Sequence, residues 1–431
     1  MAKKSGRKRC TRRVFLKAGV AGAASLGVPV FIPGAARGAD GAVAPSNRIA
    51  LGFIGLGLEG KLKDLRGALL QPDVQVAALC DVHRKRLEGA HLAIQTYPRE
   101  PNPKAYRDCF VTTDWRELVA RDDIDAVVIA TPDHWHVLPA LAAAESGKDV
   151  FLEKPVSLTV REGRALSDTM RRYARVFQTA SENRANAYFV RACELVRNGR
   201  IGKLHTIRTT IYRGFGRGNF DQSPAPLPAP IPVPADFDYD MWLGPAPEAP
   251  YDPRRCHSTF RYIFDYAGGN LTDWGAHIND IAQWGNDTEH SGPISVEGAG
   301  VFPKDGLFNT AIDWSLTYEY ANGVRFLCES GNSLQVRFEG ETGWIEASFG
   351  SIEMNPDSLR NEVIGPRETR LRTCREGEMR DFLDCVKLRC ETYAPAETGH
   401  RTATLGHIGN IALLLGRKLR WDPDRERFLD D

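Results

Sequence analysis

Asp273 and His277 stand four residues apart in Gly268-Gly269-Asn270-Leu271-Thr272-Asp273-Trp274-Gly275-Ala276-His277-Ile278-Asn279-Asp280. After the glycine pair the pattern is helical, and residues at i and i+4 project from one helix face. A carboxylate and an imidazole so placed suit binding and deprotonating a hydroxyl group, such as that of a sugar. The same spacing also serves a structural hydrogen bond along a helix or, with Asp280, part of a metal site. No third ligand comes at a usual spacing, so no metal is expected. Lys154 is the second candidate, between Glu153 and Pro155 at the end of the apolar run Asp149 to Leu152. Lysines are commonly solvated loop charges. On the rim of a ligand site, an ammonium can instead donate to a hydroxyl and stabilise a developing alkoxide. The third group is Gly55-Leu56-Gly57-Leu58-Glu59-Gly60. Glycines so spaced allow a tight turn, close approach of backbone to a pyrophosphate, and close helix–strand packing.

The surrounding elements decide what that glycine turn is for. Ile49 to Ile54 is an apolar run, a helical segment follows from Leu58 to about Leu70, and Val74 to Cys80 is a second strand closed by Asp81. An acid about 20 residues beyond the glycines can accept hydrogen bonds from an adenosine ribose. Its charge disfavours a 2′-phosphate, so NAD is expected; Arg84, Lys85 and Arg86 keep NADP open. Strand Ile124 to Ala130 ends in Thr131-Pro132-Asp133-His134-Trp135-His136, an alanine-rich helix follows, and then the strand before Lys154. Alternating strands and helices at this spacing predict a parallel, doubly wound α/β sheet, whose ligands sit at the strand carboxyl ends. Asp81, Thr131 to His136 and Glu153-Lys154 therefore share one rim. The expected cofactor contacts are Gly55, Leu56, Gly57, Leu58, Gly60, Asp81, Thr131, Pro132, His134, His136, Glu153 and Lys154. The two histidines are expected as packing or orienting groups beside the nicotinamide. Arg184, Tyr212, Arg261 and Tyr266 are candidate substrate contacts.

A helix over about Thr159 to Arg175, a strand near Val176 to Thr179 and a helix through Ala192 to Asn198 lead out of this domain. Beyond Lys203 the texture changes. His205 to Tyr212, Ile312 to Tyr320, Gly323 to Cys328, Leu334 to Phe338 and Trp344 to Ala347 read as strands, predicting a second domain on a largely antiparallel sheet. Ser223 to Pro234 has proline at every second position, which makes a stiff extended arm. The arm serves either as a linker or as a strap across a neighbouring subunit or the substrate cleft. Gly377 to Cys390 and Thr402 to Leu419 read as helices that pack back on the sheets.

Composition sets the outer bounds. The 431 residues, 42% hydrophobic and 26% charged, suit a globular chain of two domains. Eight of the first seventeen residues are Lys or Arg, and no acid precedes Asp40; without those eight the formal charge falls from +1 to −7. The body therefore has no global attraction to nucleic acid or anionic lipid. Thr11-Arg12-Arg13-Val14-Phe15-Leu16-Lys17 matches a twin-arginine export signal, followed by a weakly apolar run to Ile32. Cleavage is expected near residues 36–44, giving a periplasmic protein without stable membrane insertion. The expected divisions are 1–44 for the signal and linker, 45–178 for the dinucleotide domain and 179–431 for the substrate and oligomerisation domain. The eight cysteines after Cys10 show no metal or redox spacing and are expected to be mainly buried thiols.

Gly55-x-Gly57-x-x-Gly60, Glu153-Lys154-Pro155 and Gly268-Gly269-x-x-x-Asp273-x-x-x-His277 together resemble the glucose–fructose oxidoreductase, inositol dehydrogenase and MocA (Gfo/Idh/MocA) family. The resemblance covers nearly the whole chain after the export signal. It implies an N-terminal Rossmann domain and a C-terminal α/β domain with an open sheet, often used to form homo-oligomers. It also implies that Lys154, Asp273 and His277 are catalytic, with His277 as base. Asp133 departs from the asparagine that many members carry. Thr131 to His136 with Asp273-Trp-Gly-Ala-His277 resembles the exported bacterial subgroup. The expected chemistry is hydride transfer between a tightly held nicotinamide and a carbinol carbon of a sugar or glycoside. The rival reading is an NAD-dependent glycosidase using transient oxidation and elimination. A non-catalytic sugar-binding role is the third.

Overall fold

Short aliphatic runs build the first sheet: β1 (Ile49–Ile54), β2 (Val74–Cys80), β3 (Phe110–Thr112), β4 (Ala126–Ile129), β5 (Asp149–Leu152) and β6 (Phe177–Thr179). The computed structural model describes residues 43–97, 108–215 and 229–429, so the twin-arginine segment and residues 223–228 of the proline run lie outside them. The six strands run parallel in the order β3-β2-β1-β4-β5-β6. Every residue of β4 and β5 is buried, as in strands covered on both faces. Register places Ile54 beside Cys80 and Ile129, and Ile129 beside Leu152. Gly55, Asp81, Ala130 and Glu153 therefore leave the sheet at one level. The strand order reverses between β1 and β4, and that reversal is where such sheets take ligands.

The second sheet has nine strands: β7 (Leu204–Tyr212), β8 (Ser295–Val301), β9 (Asp313–Glu319), β10 (Arg325–Gly331), β11 (Gln335–Gly340), β12 (Gly343–Ser348), β13 (Ile352–Asn355), β14 (Leu419–Asp422) and β15 (Arg427–Phe428). Their order is β13-β12-β11-β7-β10-β9-β8-β14-β15. Neighbours are antiparallel except β7 and β10, which run parallel. In β7, Ile207, Thr209 and Ile211 point inward while His205 and Arg208 are exposed. One face packs on the helices Ala187–Arg197, Gly275–Gly285 and Ala396–Leu415 through Phe189, Ile278, Tyr318, Phe326, Phe338 and Ile408. Helix Gly275–Gly285 is buried at all eleven positions. It holds His277 rigidly at its N-terminal end.

Helix Glu378–Leu388 crosses back to the first sheet. Met379, Phe382, Leu383 and Val386 join Leu51, Phe53 and Phe151 in one core, and Arg380 binds both oxygens of Asp73 at 2.8 and 3.0 Å. Several element bounds depart from expectation. The segment after the glycine turn is a π-helix over Leu58–Leu65 that tightens to α over Arg66–Leu69. The last helix is Ala396–Leu415, and Leu419 begins a strand instead of ending the helix, because Gly416 turns left-handed at φ 61°. Helix Arg84–Thr96 has mixed polarity that hid its period from the sequence. Six of the eight described cysteines are buried, while Cys109 is half-buried and Cys390 exposed. No described helix is long and apolar enough to cross a membrane.

Candidate active site

The glycine turn is shaped by what cannot fit. At Gly55, φ is +89° and an added Cβ would lie 2.5 Å from the Ala130 carbonyl oxygen. At Gly60 it would lie 2.1 Å from the Gly55 oxygen. Gly57 is different, since its Cβ would meet only the Arg86 guanidinium, at 3.5 Å, on the cavity side. That opening is the cradle a pyrophosphate needs. Asp81 ties the turn to the end of β2. The Leu56 and His83 N–H groups donate to its two oxygens, each at 2.7 Å. Burial pushes the Asp81 carboxyl up, and these two backbone donors oppose it. Each oxygen keeps a further lone pair for a ribose hydroxyl. The residues present fit a dinucleotide. Gly60→Ala is expected to abolish co-purifying nucleotide and to lower stability by about 1–3 kcal/mol through overpacking. Mass spectrometry and thermal melting check both outcomes.

A cavity of about 720 Å³ runs from this turn to the second domain. At its far end the Lys154 Nζ lies 2.5 Å from Asp273 Oδ1, and Arg261 Nε lies 3.2 Å from Oδ2. Burial alone would raise the Asp273 carboxyl. The Lys154 and Arg261 cations overrule it and hold Asp273 well below the usual carboxylate range. The expected single helix is broken at Trp274, between Asn270–Asp273 and Gly275–Gly285. Asp273 and His277 both face the cavity without a hydrogen bond joining them. His277 Nδ1 is buried with no hydrogen-bond partner, and burial, with the Lys154 cation beside it, brings the imidazole down to about 3. It is therefore neutral at neutral pH.

Asp133 opens the turn after β4 and lines the same cavity. Burial drives its carboxyl up to about 8, with Arg261 and Lys154 opposing and Asp273 reinforcing. Between the ordinary value of 3.8 and about 8, the native protein holds a proton that the unfolded chain has lost. Stability from this group is thus complete below the lower value and lost as pH rises towards the upper one. Asp133→Asn in the nucleotide-free protein is expected to melt with wild type near pH 4 and above it near pH 8. Thermal melts at the two pH values check this.

The remaining candidates divide. Leu58, Thr131, Pro132, Glu153, Tyr212 and Arg261 line the cavity, and Thr131 Oγ1 is a buried hydroxyl without a partner. Leu56 and Gly60 are buried behind the turn, and only the Leu56 backbone N–H has a directed role. His136 touches the cavity, but its Nδ1 faces the Pro155 oxygen at 2.6 Å and its Nε2 the Thr131 oxygen at 2.7 Å. The ring clamps the two rim loops together. His134 Nε2 faces the Trp242 oxygen at 3.0 Å, its ring packed against Trp242 and Tyr266. Two substrate candidates are corrected. Arg184 lies outside the cavity, paired with Asp280 at 2.7 and 2.8 Å, because a buried cation needs a full counter-charge. Tyr266 is fully buried against Trp242, one layer behind the cavity lining.

Sequence reasoning missed Lys63, Glu182, Phe237 and His257, all of which line the cavity. Lys63 stands three residues after Gly60 and pairs with Glu153 at 3.5 Å and Glu182 at 3.0 Å. Its position on the first turn after the glycines was the available signal. Phe237 and His257 belong to no motif, only to a stretch dense in aromatics. Among the described residues, no three His, Cys, Asp or Glu side chains converge as a metal site would require.

A parallel sheet carrying a dinucleotide turn, sharing one cavity with a lysine, an aspartate and a histidine, defines a two-domain nicotinamide-dependent enzyme class. The model for the Gfo/Idh/MocA oxidoreductase family, NAD-binding Rossmann fold, matches residues 49–181, and that for its C-terminal alpha/beta domain matches 190–431. The chain belongs to this family, whose Rossmann domain binds NAD. A glycosyl hydrolase family 109 protein of Shewanella baltica is 32% identical over 209 residues, 45% of this chain and 44% of that protein. An alpha-N-acetylgalactosaminidase of Shewanella oneidensis is 32% identical over 175 residues, covering 40% and 37%. The chain thus spans less than half the length of these curated relatives. Among solved structures, the aldose-aldose oxidoreductase of Caulobacter crescentus superposes with a TM-score of 0.62 at 17% identity, over 86% of this chain and 99% of that one. The WlbA dehydrogenase of Bordetella pertussis, in complex with NADH and UDP-GlcNAcA, gives 0.63 at 14% identity, over 87% and 99%. Both likenesses concern the fold.

Proposed function

We propose that the protein transfers a hydride between NAD and a carbinol carbon of a sugar or glycoside. The observation that carries this reading is the Lys154–Asp273 couple at 2.5 Å, in the same cavity as Gly57 and Asp81. Bound NAD supplies the hydride acceptor. Asp273, ionised between Lys154 and Arg261, accepts hydrogen bonds from sugar hydroxyls. Lys154 donates to the reacting oxygen and stabilises the alkoxide as it forms. Neutral His277 takes the proton from that oxygen. Glu182 lines the same cavity and reaches solvent with 43% of its side chain exposed, which makes it the next acceptor. The discriminating experiment incubates the NAD-loaded protein with a panel of glycosides. Reduction of the bound nicotinamide with formation of a keto-glycoside supports the reading, and no redox change with any glycoside refutes it.

The stretch of identity to glycosyl hydrolase family 109 proteins favours a second outcome, in which oxidation is transient and the glycosidic bond is broken. Release of free sugar without net nicotinamide reduction would select it. The twin-arginine segment supports a periplasmic location, reached with the nucleotide already loaded. The face of the nine-stranded sheet that is exposed or half-buried along β7, β9 and β10 supports a homo-oligomer. NAD is favoured over NADP by the Asp81 carboxylate at the ribose position.

A further inference from the structure

Helix Glu378–Leu388 ends in a turn that brings two cysteines together. Arg389 follows the helix in the left-handed conformation, at φ 54°. The Cys390 N–H then donates back to the Cys385 oxygen at 3.3 Å. A helix end closed by such a bond sets the side chains of the two bonded residues against each other, a contact ordinarily made by apolar groups. Here both are thiols, within hydrogen-bond reach of one another. Their spacing in sequence carries no signal, because only the left-handed residue between them turns the chain back. The turn is also nailed to the first domain. Arg389 Nη2 donates to Asp149 Oδ1 at 3.0 Å, at the start of β5, and to the Ala174 oxygen at 3.1 Å.

The two sulfurs differ as the partners in a stepwise exchange must. Cys390 is exposed, so a small disulfide can reach it. Cys385 is buried, and burial pushes its thiol up to about 12 against the opposing Arg372 donor. Arg372 Nη2 lies 3.0 Å from Cys385 Sγ, and the thiol has Asp381 Oδ2 at 3.8 Å and the Glu391 oxygen at 3.4 Å as acceptors. A guanidinium to hold a thiolate and a carboxylate to take its proton therefore stand on the buried sulfur. None of these four side chains lines the active-site cavity. We propose that Cys385 and Cys390 form a disulfide by exchange with a small disulfide such as oxidised glutathione, and that this bond locks the end of helix Glu378–Leu388. The Cys390 thiolate attacks the small disulfide and expels its first thiolate. Cys385 gives its proton to Asp381, attacks the Cys390 sulfur and expels the second. One S–S bond forms and one breaks; the two protein thiols are oxidised, and the small disulfide is reduced to two thiols that carry off both protons. Such a bond belongs to an oxidising compartment. The export reading of the twin-arginine segment supplies one, so that the pair is reduced while the chain folds and closes afterwards. The locked helix is the one whose Met379, Phe382 and Leu383 enter the core of the first sheet.

The test incubates the reduced full chain with mixtures of oxidised and reduced glutathione, stops exchange with acid, and maps cysteines by mass spectrometry. Trypsin cuts after Lys387 and Arg389, so the bond leaves a joined pair of peptides that reduction splits. Wild type is expected to give this pair, and its melting midpoint to rise by about 2–4 °C on oxidation. Cys390→Ser, at an exposed position, should abolish both effects while melting like the reduced wild type. Arg372→Met should slow the closing step about tenfold, so that a glutathione adduct persists on Cys390. No joined 385–390 pair at any glutathione ratio, or pairing of either cysteine elsewhere, overturns the proposal. A bond that forms without raising the midpoint overturns the lock. The exchange is measured on purified protein, so failure of the export or NAD readings would leave these outcomes unchanged.

Discussion

Lys154→Met is expected to lower turnover by about 10³-fold while leaving NAD bound. Methionine keeps an unbranched apolar stem and deletes the ammonium that sits 2.5 Å from Asp273. Two losses combine. The forming alkoxide loses its nearest cation, and Asp273 keeps only Arg261, at 3.2 Å, to balance its charge. Removing one donor aimed at a developing oxyanion costs about 10²–10³ in kcat. The misplaced Asp273 then costs sugar orientation as well. Lys154→Arg restores the charge with a planar fork in place of a point charge, and should recover only a small part of the rate. Single-turnover reduction of bound nicotinamide by a reacting glycoside measures this. Full activity in the methionine variant would remove Lys154 from the chemistry.

Arg184→Met should cost about 3–5 kcal/mol of stability, as the loss of one partner of a buried ion pair does. The Arg184 guanidinium donates to both Asp280 oxygens at 2.7 and 2.8 Å, with Glu289 at 3.6 Å. It also packs over the Trp284 ring at 4.8 Å. Thr402 Oγ1 donates to Asp280 at 3.0 Å, which ties helix Ala396–Leu415 into the same knot. The methionine leaves Asp280 buried with one hydroxyl donor and no counter-charge. Arg184→Met with Asp280→Leu should recover part of the loss, because the buried Asp280 charge is then removed with its partner. Urea denaturation of the single and double variants measures the coupling. A single variant with unchanged stability and a raised KM would return Arg184 to the substrate.

The parallel sheet was legible because most of its strands are short, largely apolar and end in residues with chemistry. Gly55, Asp81, Thr131 and the Glu153-Lys154 pair each follow such a run directly. Asp273 and His277 were legible as a pair by spacing, but the break at Trp274 was not, since Gly275 carries no strong stop signal within a helical pattern. Arg184 and Tyr266 were misplaced for one reason. Polar groups near a site in sequence are candidates for ligands, and only three dimensions show that Asp280 and the Trp242 ring had already claimed them. The side of the cavity lined by Phe237 and His257 was illegible because a backbone bridge between His83 and Phe237, more than 150 residues apart, brings it to the end of β2. Such pairings leave no periodicity behind.

Helix Glu378–Leu388 fills the core of the first sheet with Met379, Phe382 and Leu383, over 200 residues downstream of β5. During synthesis the six parallel strands emerge early, and the part of their core that Met379, Phe382 and Leu383 complete stays open until nearly the whole chain has been made. Contacts of such long sequence separation slow folding and prolong exposure of apolar surface. An N-terminal fragment ending near residue 180 is therefore a natural client for a chaperone. Synthesis of helix Glu378–Leu388 then completes that core.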